Sequence, residues 1–168
     1  MTTSPGITKR LIHNIPYAAT ILLGAVVIYF SIEDSFLKLL LSGAFILYGI
    51  LSTLWFMMFL CVHCQSYGSQ KCRSGFGLLA SKLRARGDPT LFRKKFKIHI
   101  AVVVPSWFVP LIIGLISLYD EFTFTKMFLL SLFMINSFVI LPLASRNKGC
   151  SDCPQRSDCP WMKDKEHT

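Results

Sequence analysis

Four stretches of the chain carry no Asp, Glu, Lys, Arg or His: 15–32, 39–62, 100–119 and 127–145. They are 18, 24, 20 and 19 residues long. Crossing about 30 Å of hydrocarbon takes roughly 17–25 predominantly apolar residues, so each is long enough to be a membrane span. None presents the recurrent charged face that a helix on a soluble core turns to water. The expected fold is all-α and integral to a membrane: a four-transmembrane-helix bundle forming a single membrane domain over 1–168.

The first stretch is preceded by Lys9 and Arg10, as a secretory leader would be. Yet it is long and ends in Phe30-Ser31-Ile32-Glu33-Asp34, which offers no small-residue cleavage site. It is therefore expected to be retained as a helix.

The segments between the stretches differ sharply in charge. The N-terminal arm, the loop 63–99 and the tail 146–168 together hold 16 of the 18 Lys and Arg. The two remaining loops hold only Lys38 and Lys126, beside Glu33, Asp34, Asp120 and Glu121. With four crossings the three basic segments share one side, and the positive-inside rule makes that side cytoplasmic. The expected topology is N-in and C-in in the cell's inner, cytoplasmic membrane.

Within the stretches, the short outer loops make the first and second helices antiparallel neighbours, and likewise the third and fourth. Gly24, Ala25, Gly43, Ala44, Gly49, Ser52, Gly114 and Ser117 are candidate positions of close helix contact. Pro105, Pro110 and Pro142 are expected to kink or end the helices that hold them. Asn136 is the most polar side chain at membrane depth. It suits either an interhelical hydrogen bond or a bound cofactor such as a quinone.

The long loop has its own pattern. Phe76, Leu79, Ala80 and Leu83 fall on one helical face, with Lys82, Arg84 and Arg86 elsewhere. This predicts a short basic helix on the inner leaflet, stopped by Gly87. Asp88-Pro89 reads as an N-cap followed by a first-turn proline, opening a helix that carries Arg93, Lys94, Lys95 and Lys97 into the third span. A bilayer with an anionic inner leaflet is the expected partner of these charges, ahead of a cytoplasmic redox or protein partner or an anionic substrate.

All six cysteines lie in two triads, Cys61-x2-Cys64-x7-Cys72 and Cys150-x2-Cys153-x5-Cys159. The topology brings both to the cytoplasmic face, as a cysteine-rich metal-binding cap. Two thiolates two residues apart reach one ion, because a tight turn carries both to one side, and Gly68, Gly75 and Gly149 permit such turns. Pro154 and Pro160 each follow a cysteine, as at the end of a bacterial ferredoxin run, although the full ferredoxin spacing is absent. Lys71, Arg73, Arg146 and Lys148 are placed to lower thiol pKa values and offset cluster charge. The expected cofactor is an iron–sulfur cluster, one shared or one per triad. The alternative is structural zinc, for which the two Cys-x2-Cys pairs make a complete four-thiolate set. Thiol exchange is a third reading, since stable disulfides are rare in the cytosol. His63, between two cysteines, is a candidate additional ligand. His13 and His99, near the inner boundary, are the pair a haem would need. Trp55, Trp107 and Trp161 read as packing or interface anchors, and Trp161 is placed to tuck the tail back onto the membrane surface.

Composition narrows the function classes. The 168 residues are 52% hydrophobic and only 16% charged, yet carry a formal net charge of +9. Mean hydropathy is +0.50 and the isoelectric point about 9.5. Disorder is excluded by the apolar content. Nucleic acid is not an expected partner, since the basic residues are fenced between apolar runs. No stretch carries the intramembrane ionisable groups of a pump or ion-coupled carrier. Phosphate-binding, serine-hydrolase and zinc-protease motifs are absent. The leading expectation is a membrane redox protein passing electrons to or from a membrane or partner acceptor. A zinc-bound scaffold that docks a cytoplasmic partner is the second. Soft-metal handling or thiol redox sensing is the third, because thiolates favour soft ions.

Overall fold

A computed structural model describes residues 6–70, 72 and 74–146. Their regular structure is entirely helical. In order come α1 (Ile7–Ser31), α2 (Ser35–Phe59), a 3-10 turn (Cys61–His63), α3 (Phe76–Leu83), a second 3-10 turn (Pro89–Leu91), α4 (Phe92–Val103), α5 (Pro105–Asp120), α6 (Phe124–Met134), a π-helical segment (Ile135–Ile140) and α7 (Leu141–Ala144). Four helical runs are long and apolar enough to cross a membrane: Arg10–Ser31, Ser35–His63, Pro89–Asp120 and Phe124–Ala144. Such a chain is compatible with a multi-pass membrane protein.

The third run is longer than its charge-free stretch. At 32 residues and about 1.5 Å per residue it reaches roughly 48 Å, well beyond the ~30 Å of hydrocarbon. The excess lies at the N-terminal end, where Arg93, Lys94, Lys95 and Lys97 sit. As expected, Pro105 interrupts the run: α4 stops at Val103 and α5 opens on the proline. Pro110, by contrast, is accommodated inside α5. Pro142 follows the π-helical segment within α7, where the wider turns absorb the backbone bond that a proline cannot make.

The hairpin between α1 and α2 is closed by Asp34, whose carboxylate accepts from the Phe36 and Leu37 amides at 2.9 and 2.8 Å. That satisfies two donors a helix start otherwise leaves open. Between α5 and α6, Lys126 pairs with Glu121 at 2.9 Å. Tyr119, Phe122 and Phe124 are strongly exposed around this turn, the pattern of an interfacial aromatic belt.

The described residues fall into two compact units. One comprises the described parts of 1–15, 53–102 and 143–168, the other 16–52 and 103–142. The second is an apolar helical unit. Phe45 packs with Ala25 and Ile28, joined by Ile32 and Ile113. Val27 packs with Leu130 and Phe133. Glycines set these approaches. A Cβ on Gly24 would stand 2.7 Å from the Phe45 ring and 2.9 Å from Pro110, one on Gly49 2.7 Å from Ile21, and one on Gly114 2.8 Å from Leu130. With no hydrophobic drive between helices in lipid, such close contact is what holds them together. Ser52 and Ser117 are buried as the small-residue pattern predicts, whereas Gly43 and Ala44 face outward.

A polar cluster lies inside this unit. The Asn136 amide donates to the Pro16 carbonyl and to the Thr20 hydroxyl, both at 3.0 Å. Thr20 itself donates back to Pro16 at 3.0 Å, and Ser137 lies 3.5 Å from the Thr20 hydroxyl. The π-helical segment sets the consecutive Asn136 and Ser137 both in buried positions. Among the two readings of Asn136, the interhelical hydrogen bond is the geometry found. Asn136→Leu is expected to cost about 1 kcal/mol, toward the upper part of the range for hydrogen bonds between membrane helices. Reversible unfolding in mixed detergent micelles would measure it.

Candidate metal centre

The other unit holds the first cysteine triad. Helix α2 ends in a small apolar cluster, Leu60 with Phe92, flanked by Phe56, Cys64 and Phe96. Beyond it the chain makes one tight turn after another. The Cys64 amide donates to the Cys61 carbonyl at 3.2 Å, closing the Cys-x2-Cys turn. Tyr67 then bonds Cys64, Ser69 bonds Ser66, Cys72 bonds Ser69 and Gly75 bonds Cys72, all through the backbone. Gly68 and Gly75 adopt positive φ angles of 66° and 78°, a region that glycine enters without cost and side-chain-bearing residues avoid. The sequence expectation that these two glycines make the turns is met.

These turns orient the sulfurs. Cys64 Sγ accepts from the Ser66 amide at 3.4 Å. Cys72 Sγ accepts from the Gly77 amide at 3.4 Å and lies 3.4 Å from the Ser74 hydroxyl. All three cysteines are half-buried and outside any disulfide. Amide hydrogen bonds to sulfur of this kind also occur around cluster-bound cysteines; here they fix the side chains of Cys64 and Cys72. Among the described residues no group of three or more His, Cys, Asp or Glu is arranged to hold an ion. The second triad, Cys150, Cys153 and Cys159, lies outside the described residues, as do Lys71, Arg73, Lys148 and Trp161.

His63 Nδ1 lies 2.8 Å from the Asp88 carbonyl. A carbonyl only accepts, so Nδ1 carries the proton and Nε2 is the nitrogen left for a ligand, the arrangement common in metal-bound histidines. The ring packs against Gly87, where an added Cβ would meet it at 2.5 Å. Gly87 thus has a different role from the expected helix stop. Helix α3 already ends at Leu83, and Gly87 lets the chain pass the imidazole while its amide donates to the Val62 carbonyl at 2.9 Å. His99 accepts from Trp55 Nε1 at 3.2 Å through Nδ1 and stacks near Phe59.

Two positioning residues have no signature in the cysteine spacing. Arg10 donates to the Gln70 carbonyl at 2.8 Å, and Asn14 to the Ser74 carbonyl at 3.0 Å. Both come from α1, sixty residues away, and they bracket Cys72 on either side. Arg84 fastens the far end of α3. Its guanidinium sits 5.0 Å over the Phe59 ring and donates to the Met58 carbonyl at 3.4 Å, while its own carbonyl accepts from the Tyr67 hydroxyl at 2.6 Å.

The expected N-cap is present. Asp88 accepts from the Thr90 amide at 2.9 Å, with Pro89 in the first turn. The Thr90 backbone bond, reinforced by its side chain, holds the Asp88 carboxyl below the usual carboxylate range. Because folding lowers this pKa, the cap's contribution is complete above the ordinary range and fades as pH falls through the lowered value. Asp88→Ala is expected to lower the melting temperature at neutral pH, with the gap from wild type closing under acid conditions. A pH series of melting curves for both proteins checks this.

Comparison of the chain with family models, with curated proteins and with solved structures gives no match.

Proposed function

We propose that the chain is a multi-pass protein of the inner, cytoplasmic membrane, with both termini in the cytoplasm. In this reading its two cysteine triads form a cytoplasmic iron–sulfur centre that passes electrons to or from a membrane acceptor such as a quinone, or a protein partner. The observation that carries the reading is the loop from Cys61 to Gly77. Its turns give the sulfurs of Cys64 and Cys72 backbone amide donors, the kind of contact that tunes the potential of a bound cluster. Orientation rests on the placement of 16 of 18 basic residues in the three segments of one side.

Cys61, Cys64 and Cys72 would act with Cys150, Cys153 and Cys159, with His63 as a further candidate ligand. An iron–sulfur cluster, when bound, supplies one-electron transfer. The chain's own part is to position the sulfurs, through Arg10, Asn14 and the glycine turns, and to supply positive charge around them.

Anaerobic purification followed by iron, zinc and acid-labile sulfide analysis tests the proposal. Stoichiometric iron and sulfide, with visible absorbance bleached by dithionite, is the expected result. Zinc without sulfide overturns it and favours the second reading, a membrane scaffold whose zinc-bound cap docks a cytoplasmic partner. That alternative has its own support. The two Cys-x2-Cys pairs make a full zinc set without Cys72 or Cys159.

A further inference from the structure

The loop that carries the first triad also carries an exposed surface that is both apolar and basic. On α3, Gly77 and Ala80 are buried, while Leu79, Lys82 and Leu83 are exposed together at helical spacings of three and four. The start of the third run repeats the mixture, with Leu91, Lys94 and Ile98 exposed beside Arg93 and Lys97. The four apolar side chains are 41–54% exposed. Between positions 76 and 99 there are seven Lys and Arg against the single acid Asp88. None of Lys82, Arg86, Arg93, Lys94 or Lys97 pairs with an acid among the described residues.

Position decides the occupant. The loop leaves one membrane-length run at His63 and enters the next at Pro89. Its ends are tied together there, by the Gly87 amide on the Val62 carbonyl and by His63 on the Asp88 carbonyl. Arg84 anchors α3 to the last turn of α2 through Met58 and Phe59. The leucine and lysine strip is thus held where two apolar helices end. Acyl chains meet anionic headgroups at that level, so one partner satisfies both the exposed leucines and the unpaired cations.

We infer that α3, the segment 84–91 and the first turns of α4 form a binding surface for anionic phospholipid, with Leu79, Leu83 and Leu91 against the acyl region and Lys82, Arg86, Lys94 and Lys97 on the phosphates. Each basic residue near an anionic leaflet strengthens association about fivefold. The inference rests on the membrane placement proposed above and not on which metal the cysteines hold.

Native mass spectrometry of the full-length protein in mixed micelles, titrated with phosphatidylglycerol or phosphatidylcholine, is the test. Wild type is expected to prefer phosphatidylglycerol by roughly tenfold or more, and the preference should fall steeply with added salt. Lys82→Gln, Arg86→Gln, Lys94→Gln and Lys97→Gln combined should abolish it, whereas exchanging the same positions between Lys and Arg should keep it. Equal binding of the two lipids by wild type, or a preference that survives the four glutamines or high salt, overturns the assignment. The salt dependence is read on wild type alone and needs no variant to fold.

Discussion

Protein carrying Cys61→Ser, Cys64→Ser, Cys150→Ser and Cys153→Ser is expected to emerge from anaerobic purification without stoichiometric iron or acid-labile sulfide, while wild type holds both. Metal binding energy is folding energy, of order 10–16 kcal/mol for structural zinc in zinc-finger peptides, and it requires the sulfur ligands. Losing four sulfurs removes that term entirely. Single variants divide the geometries. Metal retained in both Cys72→Ser and Cys159→Ser identifies one site shared by the two Cys-x2-Cys pairs. Loss in both identifies a centre that needs complete triads. His63→Ala separates a ligand from a strap. A ligand's removal depletes metal, whereas a strap's removal frees the Asp88 carbonyl and lowers stability with metal intact. Metal content of wild type equalled by the fourfold variant would place the metal elsewhere.

Gly77→Ala is expected to disrupt the same loop without touching a sulfur. A Cβ at this position would stand 2.6 Å from the Ser66 carbonyl oxygen and 3.5 Å from Cys72 Cβ. The nearer atom is backbone, so no side-chain rotation relieves the contact. Helix α3 must move away from the Cys64–Gly68 turn, stretching the Gly77 amide bond to Cys72 Sγ and the Gly68 amide bond to the Gly77 carbonyl. Overpacking of this kind costs about 1–3 kcal/mol. In the metal-bound protein it is expected to appear as lower metal occupancy and a lower melting temperature together. Gly43→Ala, where nothing lies within 4 Å, is the matched control and should leave both unchanged.

The apolar helices are the most legible part of this protein. Uninterrupted runs of 18 to 24 uncharged residues leave a helix little choice, because backbone groups in hydrocarbon must be satisfied within the helix itself. The cap at Asp88 and the break at Pro105 also follow from local chemistry and are found where the residue pattern places them. The short helix of the long loop is found too, but it ends at Leu83 and buries Ala80 while Leu79 and Leu83 are exposed, so its expected single apolar face is divided. Gly87 shows where local reading stops. Its sequence context suggests a helix end, but its lack of a side chain matters because His63, twenty-four positions earlier, folds against it.

The candidate site divides in the same way. Spacing alone singled out Cys61, Cys64 and Cys72 as a set, and with them the glycine turns at Gly68 and Gly75. Spacing could not reveal that Arg10 and Asn14 bracket Cys72 through backbone carbonyls, nor that Asn136 answers Pro16 and Thr20. Those pairings join residues 60 to 120 positions apart. Sequence by itself determined which segments are helical and apolar, and where charge and sulfur accumulate, because those depend on neighbours along the chain. Tertiary structure decided which polar groups serve one another, because a buried donor takes whichever acceptor the packed helices bring within 3 Å.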